Sequence, residues 1–275
     1  MIIVKLQGGL GNQMFQYAVG RHLSYINSDI LKLDVTSLRD DHKRNYSLDC
    51  FTFQQTFATK QEIGQLKKYQ RKPGKIWFLY NRLFADTTKY VQERQFHFDS
   101  DILKLKPPVY IDGYWNTEKY FKDIRDIILK DFQIKNPVSG KNKEVLEQIM
   151  HVNSVSIHVR RGDYANDPKT NIAHGTLNNE YYAKAFALIK RSIKDPQLFV
   201  FSDDINWVRD NIIFPFETTY IDWNDDKTAF EDLRLMSFCK HHIIANSTFS
   251  WCGAWLSTNP DKIIIVPSKW FNTNK

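Results

Sequence analysis

Arg160 and Arg161 stand side by side after an alternating apolar run, Val155-Ser156-Ile157-His158-Val159, and are followed by Gly162, Asp163 and Tyr164. Such a run reads as a buried strand, and the glycine allows a sharp turn at its end. Two guanidinium forks at a strand end suit a phosphate or diphosphate, because their planar, paired donors match its oxygens. A surface arginine pair neutralised by Asp163 is the competing reading, and the spacing alone supports the two equally.

Two other strand-like runs end in polar clusters. Leu198-Phe199-Val200-Phe201 leads into Ser202-Asp203-Asp204, and His242-Ile243-Ile244-Ala245 leads into Asn246-Ser247-Thr248, where Thr248 or Ser247 can cap a following helix, Phe249–Leu256. Strands of a parallel sheet point the same way, so these ends should gather at one edge, where open α/β sheets bind ligands. The gathered residues are cations for phosphate, carboxylates for a ribose or base, and a helix N-terminus carrying hydroxyls. This composition fits a nucleoside diphosphate; a nucleoside monophosphate, coenzyme A or a sugar phosphate fits nearly as well.

Asp203-Asp204 could hold Mg²⁺ or Mn²⁺ against a diphosphate. Neighbouring strand side chains point to opposite faces, however, and two arginines already supply neutralising charge, so no metal is expected. Asp225-Asp226, after Trp223-Asn224, reads as the start of the next helix. His158 is either a buried, hydrogen-bonded core residue or a ligand contact. His174, read as part of the loop Asn171-Ile172-Ala173-His174-Gly175, can approach a substrate or simply face solvent. No nucleophile elbow and no cysteine beside a basic partner is present.

The elements that position these groups are clearest in the second half. Beyond the strand at Val155–Arg160, helical spacing covers Tyr181–Ile193, Ile205–Asn211 and Ala229–Cys239, and further strands are expected at Thr218–Ile221 and Ile263–Val266. The first half opens with a short apolar strand, Ile2–Leu6, then Gly8-Gly9-Leu10-Gly11-Asn12-Gln13, then a helical pattern through Met14, Phe15, Tyr17, Ala18 and Leu23. The glycine spacing is neither a dinucleotide fingerprint nor a P-loop. It supplies a helix N-terminus with unpaired N–H groups, to which the Asn12 and Gln13 amides could add, or merely a tight turn. Ile30–Asp34 and Val109–Trp115 read as strands, the second ending in aromatics suited to sugar stacking or to the core, and Glu118–Lys130 as a helix. From Ser37 to Phe98 the order of elements blurs. Asn136-Pro137-Val138-Ser139-Gly140 breaks the pattern and sets the expected boundary between domains 1–138 and 139–275. The expected fold class is α/β: two Rossmann-like halves with parallel sheets facing a cleft.

With 275 residues, 42% hydrophobic and 14% aromatic, the chain can build full cores. Cys50, Cys239 and Cys252 form no CxxC pair, which argues for a reducing compartment and against a zinc site or disulfide framework. No secretory signal or membrane span is visible, so a cytoplasmic protein is expected. The net charge of +7 is concentrated between Lys60 and Lys89, where eight positive residues (Lys60, Lys67, Lys68, Arg71, Lys72, Lys75, Arg82, Lys89) face two negative ones, Glu62 and Asp86. Trp77, Phe78, Tyr80 and Phe84 are interleaved with them. An anionic membrane or a nucleic acid could bind such a segment, but a solvated helical face with its aromatics turned inward is the reading preferred here. Nucleic acid is not expected as a partner, and peripheral attachment to the inner membrane is compatible with the segment.

Taken together, Gly8-Gly9-Leu10-Gly11-Asn12-Gln13-Met14-Phe15-Gln16-Tyr17-Ala18, His158-Val159-Arg160-Arg161-Gly162-Asp163-Tyr164, Phe201-Ser202-Asp203-Asp204 and Asn246-Ser247-Thr248-Phe249-Ser250-Trp251 resemble the bacterial α-1,2-fucosyltransferases of glycosyltransferase family 11. The resemblance follows the family order over nearly the whole chain. It implies a GT-B architecture, GDP-β-L-fucose held mainly by the second domain with the first mainly on the acceptor side, and inverting transfer to the 2-hydroxyl of a terminal β-galactose without a required cofactor or metal. By the same resemblance Arg160 grips the diphosphate with Arg161 in support. His158 and Asp232 meet the guanine and ribose; Ser247, Thr248 and Ser250 supply phosphate-side hydroxyls; Asn12 reaches the fucose or β-phosphate. Gly9, Gly11, Ser202, Asp203, Asn246 and Phe249 complete the expected donor-binding set. Asp163 and His174 are the candidates for the base, Asp163 preferred. Another nucleotide-sugar-processing enzyme, or a non-catalytic glycan- or polyanion-binding protein, are the rival readings, and the acceptor glycan and oligomeric state are left open.

Overall fold

The computed structural model describes residues 1–39 and 44–272, with the side chain of Lys75 also outside the description. The chain divides into two compact units, Met1–Lys135 and Asn136–Lys275. The last three residues of the expected domain 139–275 lie outside the described residues.

The first unit is built on four parallel strands, β1 (Ile2–Lys5), β2 (Leu31–Asp34), β3 (Tyr90–Gln92) and β4 (Val109–Asp112), in the order β2-β1-β4-β3. Ile2, Ile3 and Val4 are fully buried, as a strand covered on both faces requires. Each such side chain contributes about 2 kcal/mol by leaving water. Gly8 has φ +76°, and a Cβ there would lie 2.5 Å from the Asn12 Nδ2, so the turn into the helix Leu10–Asn27 needs glycine. The helix buries Met14, Phe15, Tyr17, Ala18 and Leu23.

Three expectations for this unit are corrected. Glu118–Lys130 is not one helix: short 3₁₀ turns at Glu118–Tyr120 and Lys122–Ile124 precede a helix at Arg125–Asp131. Phe121, at φ −147° and ψ 4°, lies outside the helical region and breaks the run. The strand at residues 109–115 ends at Asp112, and Trp115 turns into the core, 5.7 Å edge-on to Tyr120. The aromatics of the basic segment turn outward rather than inward: the helix Phe78–Phe84 has no buried residue, since its apolar side chains occur at neighbouring positions all round and form no single stripe.

The second unit carries five parallel strands, β5 (Asn153–Val159), β6 (Pro196–Ser202), β7 (Thr218–Ile221), β8 (His241–Ile243) and β9 (Ile264–Ile265), in the order β7-β6-β5-β8-β9. The period-two alternation divides the core between the two faces. Val155, Ile157, Val159, Leu198 and Val200 pack with Tyr182, Ala185, Phe186 and Ile189 of the helix Asn179–Ser192. On the opposite face Phe199 and Phe201 pack with Val145, Ile149, Leu235, Met236 and Cys239. The strand order reverses between β5 and β8, which places a topological switch point beside the Arg160 strand end. The helix Gly140–His151, which supplies Val145 and Ile149, was not expected from the sequence. Cys239 and Cys252 are buried, and that burial pushes both thiols well above the ordinary range. No helix among the described residues is long and apolar enough to cross a membrane.

Candidate functional site

β5 delivers Arg160 into a carboxylate grip. Its Nη2 donates to Asp163 Oδ1 at 2.6 Å and its Nη1 lies 2.8 Å from Asp203 Oδ2, while its guanidinium sits 5.3 Å from the Tyr164 ring centroid. Burial opposes the Arg160 charge, but Asp203 and Asp163 more than offset it and raise the pKa above its ordinary value. Asp203 also binds the chain itself, its Oδ1 accepting from the Arg161 N–H at 2.8 Å. A Cβ on Gly162 would fall 2.3 Å from Asp203 Oδ2, so glycine is what lets this carboxylate reach both arginines. Arg161 stacks its guanidinium 3.5 Å over the Trp207 ring, with Nε 3.4 Å from Asp204 Oδ2. The two readings of the arginine pair therefore merge: the salt bridge exists, and it fixes the orientation of the fork. Arg160 uses Nη1 and Nη2 once each, and a guanidinium carries five N–H donors, so donors remain for a ligand.

At the end of β6 the polar residues hold the chain. Ser202 Oγ donates to the Val159 carbonyl at 2.8 Å and accepts from the Asp204 N–H at 3.0 Å. Asp204 caps the helix Ile205–Asn211 by accepting from the Trp207 N–H at 3.3 Å. The Asp203 and Asp204 carboxylates thus serve different partners. Among the described residues no group of three or more His, Cys, Asp or Glu side chains stands together as a metal site would need.

Beyond β8, Asn246 is buried, and its amide donates to the carbonyls of His174 (3.0 Å), Gly175 (3.5 Å) and Trp270 (3.4 Å). Its own carbonyl accepts from Tyr164 OH at 3.2 Å, tying this strand end to the Arg160 turn. Of the two expected caps, Thr248 is already the first residue of the helix Thr248–Leu256 and Ser247 takes the N-cap position, where its hydroxyl makes no capping bond. Ser250 is buried and donates to the Ser247 carbonyl at 3.2 Å. Phe249 lies 5.7 Å from the His158 ring. His158 is buried with Nδ1 lacking a hydrogen-bond partner among the described residues, and burial followed by the Arg160 charge pushes its pKa down to about 3. It is a neutral imidazole, and its unpaired nitrogen is the kind of buried polar atom that calls for a ligand or water.

His174 is not in a loop. It ends a short helix, Pro168–His174, begun by Asp167, which accepts from the N–H groups of Lys169 and Thr170, with Pro168 at the first position. Its ring stacks on Tyr164 at 4.7 Å and lies 5.0 Å from Phe271, so it is held by aromatic neighbours instead of reaching freely. Asp232, in the first turn of the helix Ala229–Phe238, accepts from Asn224 Nδ2 at 2.6 Å. Burial, with Glu231 adding to it, pushes its pKa up to about 7. Asn224 is itself paired amide to amide with Asn142, whose Oδ1 also accepts from Trp223 Nε1 at 2.8 Å. Asp225 serves the turn ahead of that helix by accepting from the N–H groups of Lys227 and Thr228.

Gly9, Gly11 and Asn12 belong to the first unit, with Gly9 as N-cap of the helix Leu10–Asn27 and Gly11 buried in its first turn. The Gln13 amide is not available as a ligand group. It is fully buried, donating to the Gly8 and Asn45 carbonyls at 2.8 Å each and accepting from the Ser47 N–H at 3.0 Å.

The second unit thus brings together Arg160, Arg161, Asp163, Ser202, Asp203 and Asp204 at one end of its sheet, with Asn246 and His174 linked to them through Tyr164. The sequence reading left out Trp207, Asn142 and Asn224, and gave Tyr164 no role. The missed signal for Asn142 was the amphipathic pair Val145 and Ile149 in a helix opening on glycine.

Parallel sheets in α/β units, the second reversing at β5 beside an anchored arginine, are the fold of the GT-B class of glycosyltransferases. The chain belongs to glycosyltransferase family 11, whose model (Glycosyl transferase family 11) matches residues 1–275. It is similar to two Escherichia coli proteins, the O-antigen biosynthesis glycosyltransferase WbnK (33% identical, 98% of this chain and 94% of WbnK) and an alpha-1,2-colitosyltransferase (33%, 98% and 92%). Mouse galactoside 2-alpha-L-fucosyltransferase Sec1 is 23% identical over 99% of this chain and 70% of its own. Among solved structures, Arabidopsis thaliana FUT1 in complex with GDP superposes with a TM-score of 0.57 at 11% identity, covering 98% of this chain and 71% of its own. NodZ alpha-1,6-fucosyltransferase soaked with GDP-fucose gives 0.52 at 12%, covering 93% and 91%.

Proposed function

We propose that this glycosyltransferase moves L-fucose from GDP-β-L-fucose to the 2-hydroxyl of a terminal β-galactose, with inversion and without a required metal. The observation that carries the reading is Arg160, held by Asp163 and Asp203 at the switch point of the second sheet. Departure of GDP builds negative charge on the β-phosphate, and a guanidinium already fixed in place gains strength as that charge develops without reorganising. Arg161, flattened on Trp207, supports the same group. Neutral His158 and the carboxylate of Asp232 suit the polar edge of guanine and the ribose hydroxyls. Asp163 is the preferred base toward the acceptor hydroxyl and also the anchor of Arg160; His174 is the alternative. We assign the donor mainly to the second unit and the acceptor to the first. The O-antigen relative supports an acceptor in lipopolysaccharide-type glycan synthesis and the galactoside relative a galactose-ended one; we assign the reaction to the cytoplasm.

A second donor is favoured by a specific observation, the 33% identity to a colitosyltransferase. Colitose is fucose without its 3-hydroxyl, so the choice rests on whether the sugar pocket pairs that hydroxyl. A donor panel of GDP-fucose and GDP-colitose against lactose, Galβ1-3GalNAc and Galβ1-3GlcNAc ends, with and without EDTA, decides it. Fucose transfer resistant to EDTA is the expected result. Exclusive use of GDP-colitose replaces the donor, donor hydrolysis without transfer removes the acceptor chemistry, and loss of activity in EDTA restores a metal.

A further inference from the structure

Residues 76–84 leave apolar side chains in the open where no described residue of the first unit covers them. Ile76 is 89% exposed, Phe78 69%, Leu79 65%, Leu83 63% and Phe84 57%, and Trp77 is 39% exposed. Positive charge is interleaved with this surface. Lys72 Nζ lies 4.1 Å from the Trp77 ring centroid and 4.3 Å from that of Tyr80, and Lys68 and Lys89 lie 5.0 and 4.8 Å from the Tyr69 ring. Arg71 and Arg82 make no ion pair among the described residues. The two acidic residues of the segment are occupied locally, Glu62 with Lys32 and the Thr59 cap, Asp86 with Lys89 and the Thr88 turn.

We infer that the segment from Lys68 to Lys89 is a docking surface for an anionic lipid bilayer. Aliphatic and aromatic side chains beside lysine and arginine, with Trp and Tyr at the level of the cations, match an interface where tails lie below and acidic headgroups above. A nucleic acid would use the cations and rings but gives Ile76, Leu79 and Leu83 no apolar medium. A second copy of the chain would set one positive surface against another. The helix Phe78–Phe84 also forms part of the wall of an open cavity of about 1730 Å³ that reaches Glu93 and Trp115 in the first unit, so docking brings a glycan carried on a membrane lipid close to that cavity. The inference does not depend on the donor or acceptor proposed above, and its test reads no sugar transfer.

The test is flotation of the full chain with vesicles of phosphatidylethanolamine, phosphatidylglycerol and cardiolipin, against vesicles of phosphatidylcholine alone. Binding at least tenfold stronger to the anionic vesicles is expected, and raising salt from 0.1 to 0.5 M should remove most of it. Leu79→Glu with Leu83→Glu should release the protein at an unchanged melting temperature, because both side chains are already exposed. Arg71→Glu with Arg82→Glu should weaken binding by about 25-fold or more, since each basic residue near an anionic surface strengthens it about fivefold. Equal binding to both vesicle types, or full binding by both double variants, overturns the inference. So does a parent protein that is dimeric by light scattering and becomes monomeric in the leucine variant without ever binding vesicles. Retention on RNA by the leucine variant, with no vesicle binding by the parent, overturns it in favour of a polyanion.

Discussion

The two units place charged residues at the ends of parallel strands and use them in opposite ways. In the first, Tyr110 OH donates to Asp34 at 2.6 Å and Tyr90 OH donates to Asp112 at 2.7 Å, the two rings stacking at 5.1 Å, while Lys5 and Lys67 complete the pairs at 3.0 and 3.5 Å. Burial alone would raise the Asp34 pKa; hydrogen bonds from Thr36 and Tyr110, with the Lys67 charge, leave it below the ordinary carboxylate range. In the second unit the carboxylates hold guanidinium groups that stay partly exposed, Arg160 at 21% and Arg161 at 18% of their side-chain surface. A phenol has one proton to donate, and each of these two spends it on its aspartate. A guanidinium has five and can be anchored without being used up. The first arrangement stabilises a fold; the second offers a ligand its remaining donors.

The contrast can be broken or sharpened in four ways. Arg160→Ala should lower kcat/KM for transfer by about a thousandfold, as loss of a preorganised electrostatic contact does; near-normal turnover in a steady-state assay would remove the clamp. Asp34→Ala should cost about 3 kcal/mol in urea unfolding, because it strands the buried Tyr110 hydroxyl and takes the partner from Thr36 and Lys67, while GDP affinity by calorimetry stays within about twofold. A large loss of GDP affinity there would show that the first network is a ligand site after all. The third test is the pH dependence of Asp232. With a folded pKa of about 7, above the unfolded carboxylate value, the group favours the unliganded fold at low pH, and that contribution fades as pH rises toward 7. A guanine edge donating N–H groups needs the ionised form, so GDP affinity should rise by about tenfold from pH 5 to pH 6, by about fivefold from pH 6 to pH 7, and then level off. Asp232→Asn should flatten that profile. The smallest effect concerns salt. Arg160 and Arg161 face Asp163, Asp203 and Asp204, so this cluster has no positive excess and must attract phosphate through directed donors. GDP affinity should therefore change by less than about threefold between 0.05 and 0.5 M salt, in contrast to attraction by an exposed charge field. A steep dependence would mean that net charge, and not geometry, does the binding.

Much of the second sheet was legible because its strands are continuous apolar runs ending in polar clusters, and parallel strands necessarily put those ends on one edge. The partners that make the edge specific were less so. Asn142 follows Gly140, with φ +55°, in a stretch that reads as punctuation, and its helix shows only Val145 and Ile149 to the core. The helix ending at His174 is seven residues long and buries none of them, so no periodic stripe announces it. Gln13 sits where a ligand-facing amide would sit, and its role in holding Asn45 and Ser47 rests on contacts more than thirty residues away. The outward aromatics of Phe78–Phe84 escaped because an apolar residue is ordinarily assigned to the interior, and only the fold shows that the interior is full without them.

The wholly parallel sheets have a consequence for how the chain is made. Parallel neighbours cannot be joined by a hairpin, so every pairing waits for a crossover segment to be synthesised, and contacts close late over long stretches of sequence. Each unit is nevertheless contiguous, residues 1–135 and then 136–275. The first sheet is complete only when β4 emerges, after which it can close on its tyrosine–aspartate pairs while the second is still on the ribosome. β5, central in its own sheet, is the first strand of that sheet to be made and must wait for neighbours on both sides. A pause in translation once residue 135 has emerged from the ribosome would therefore fall where it helps most.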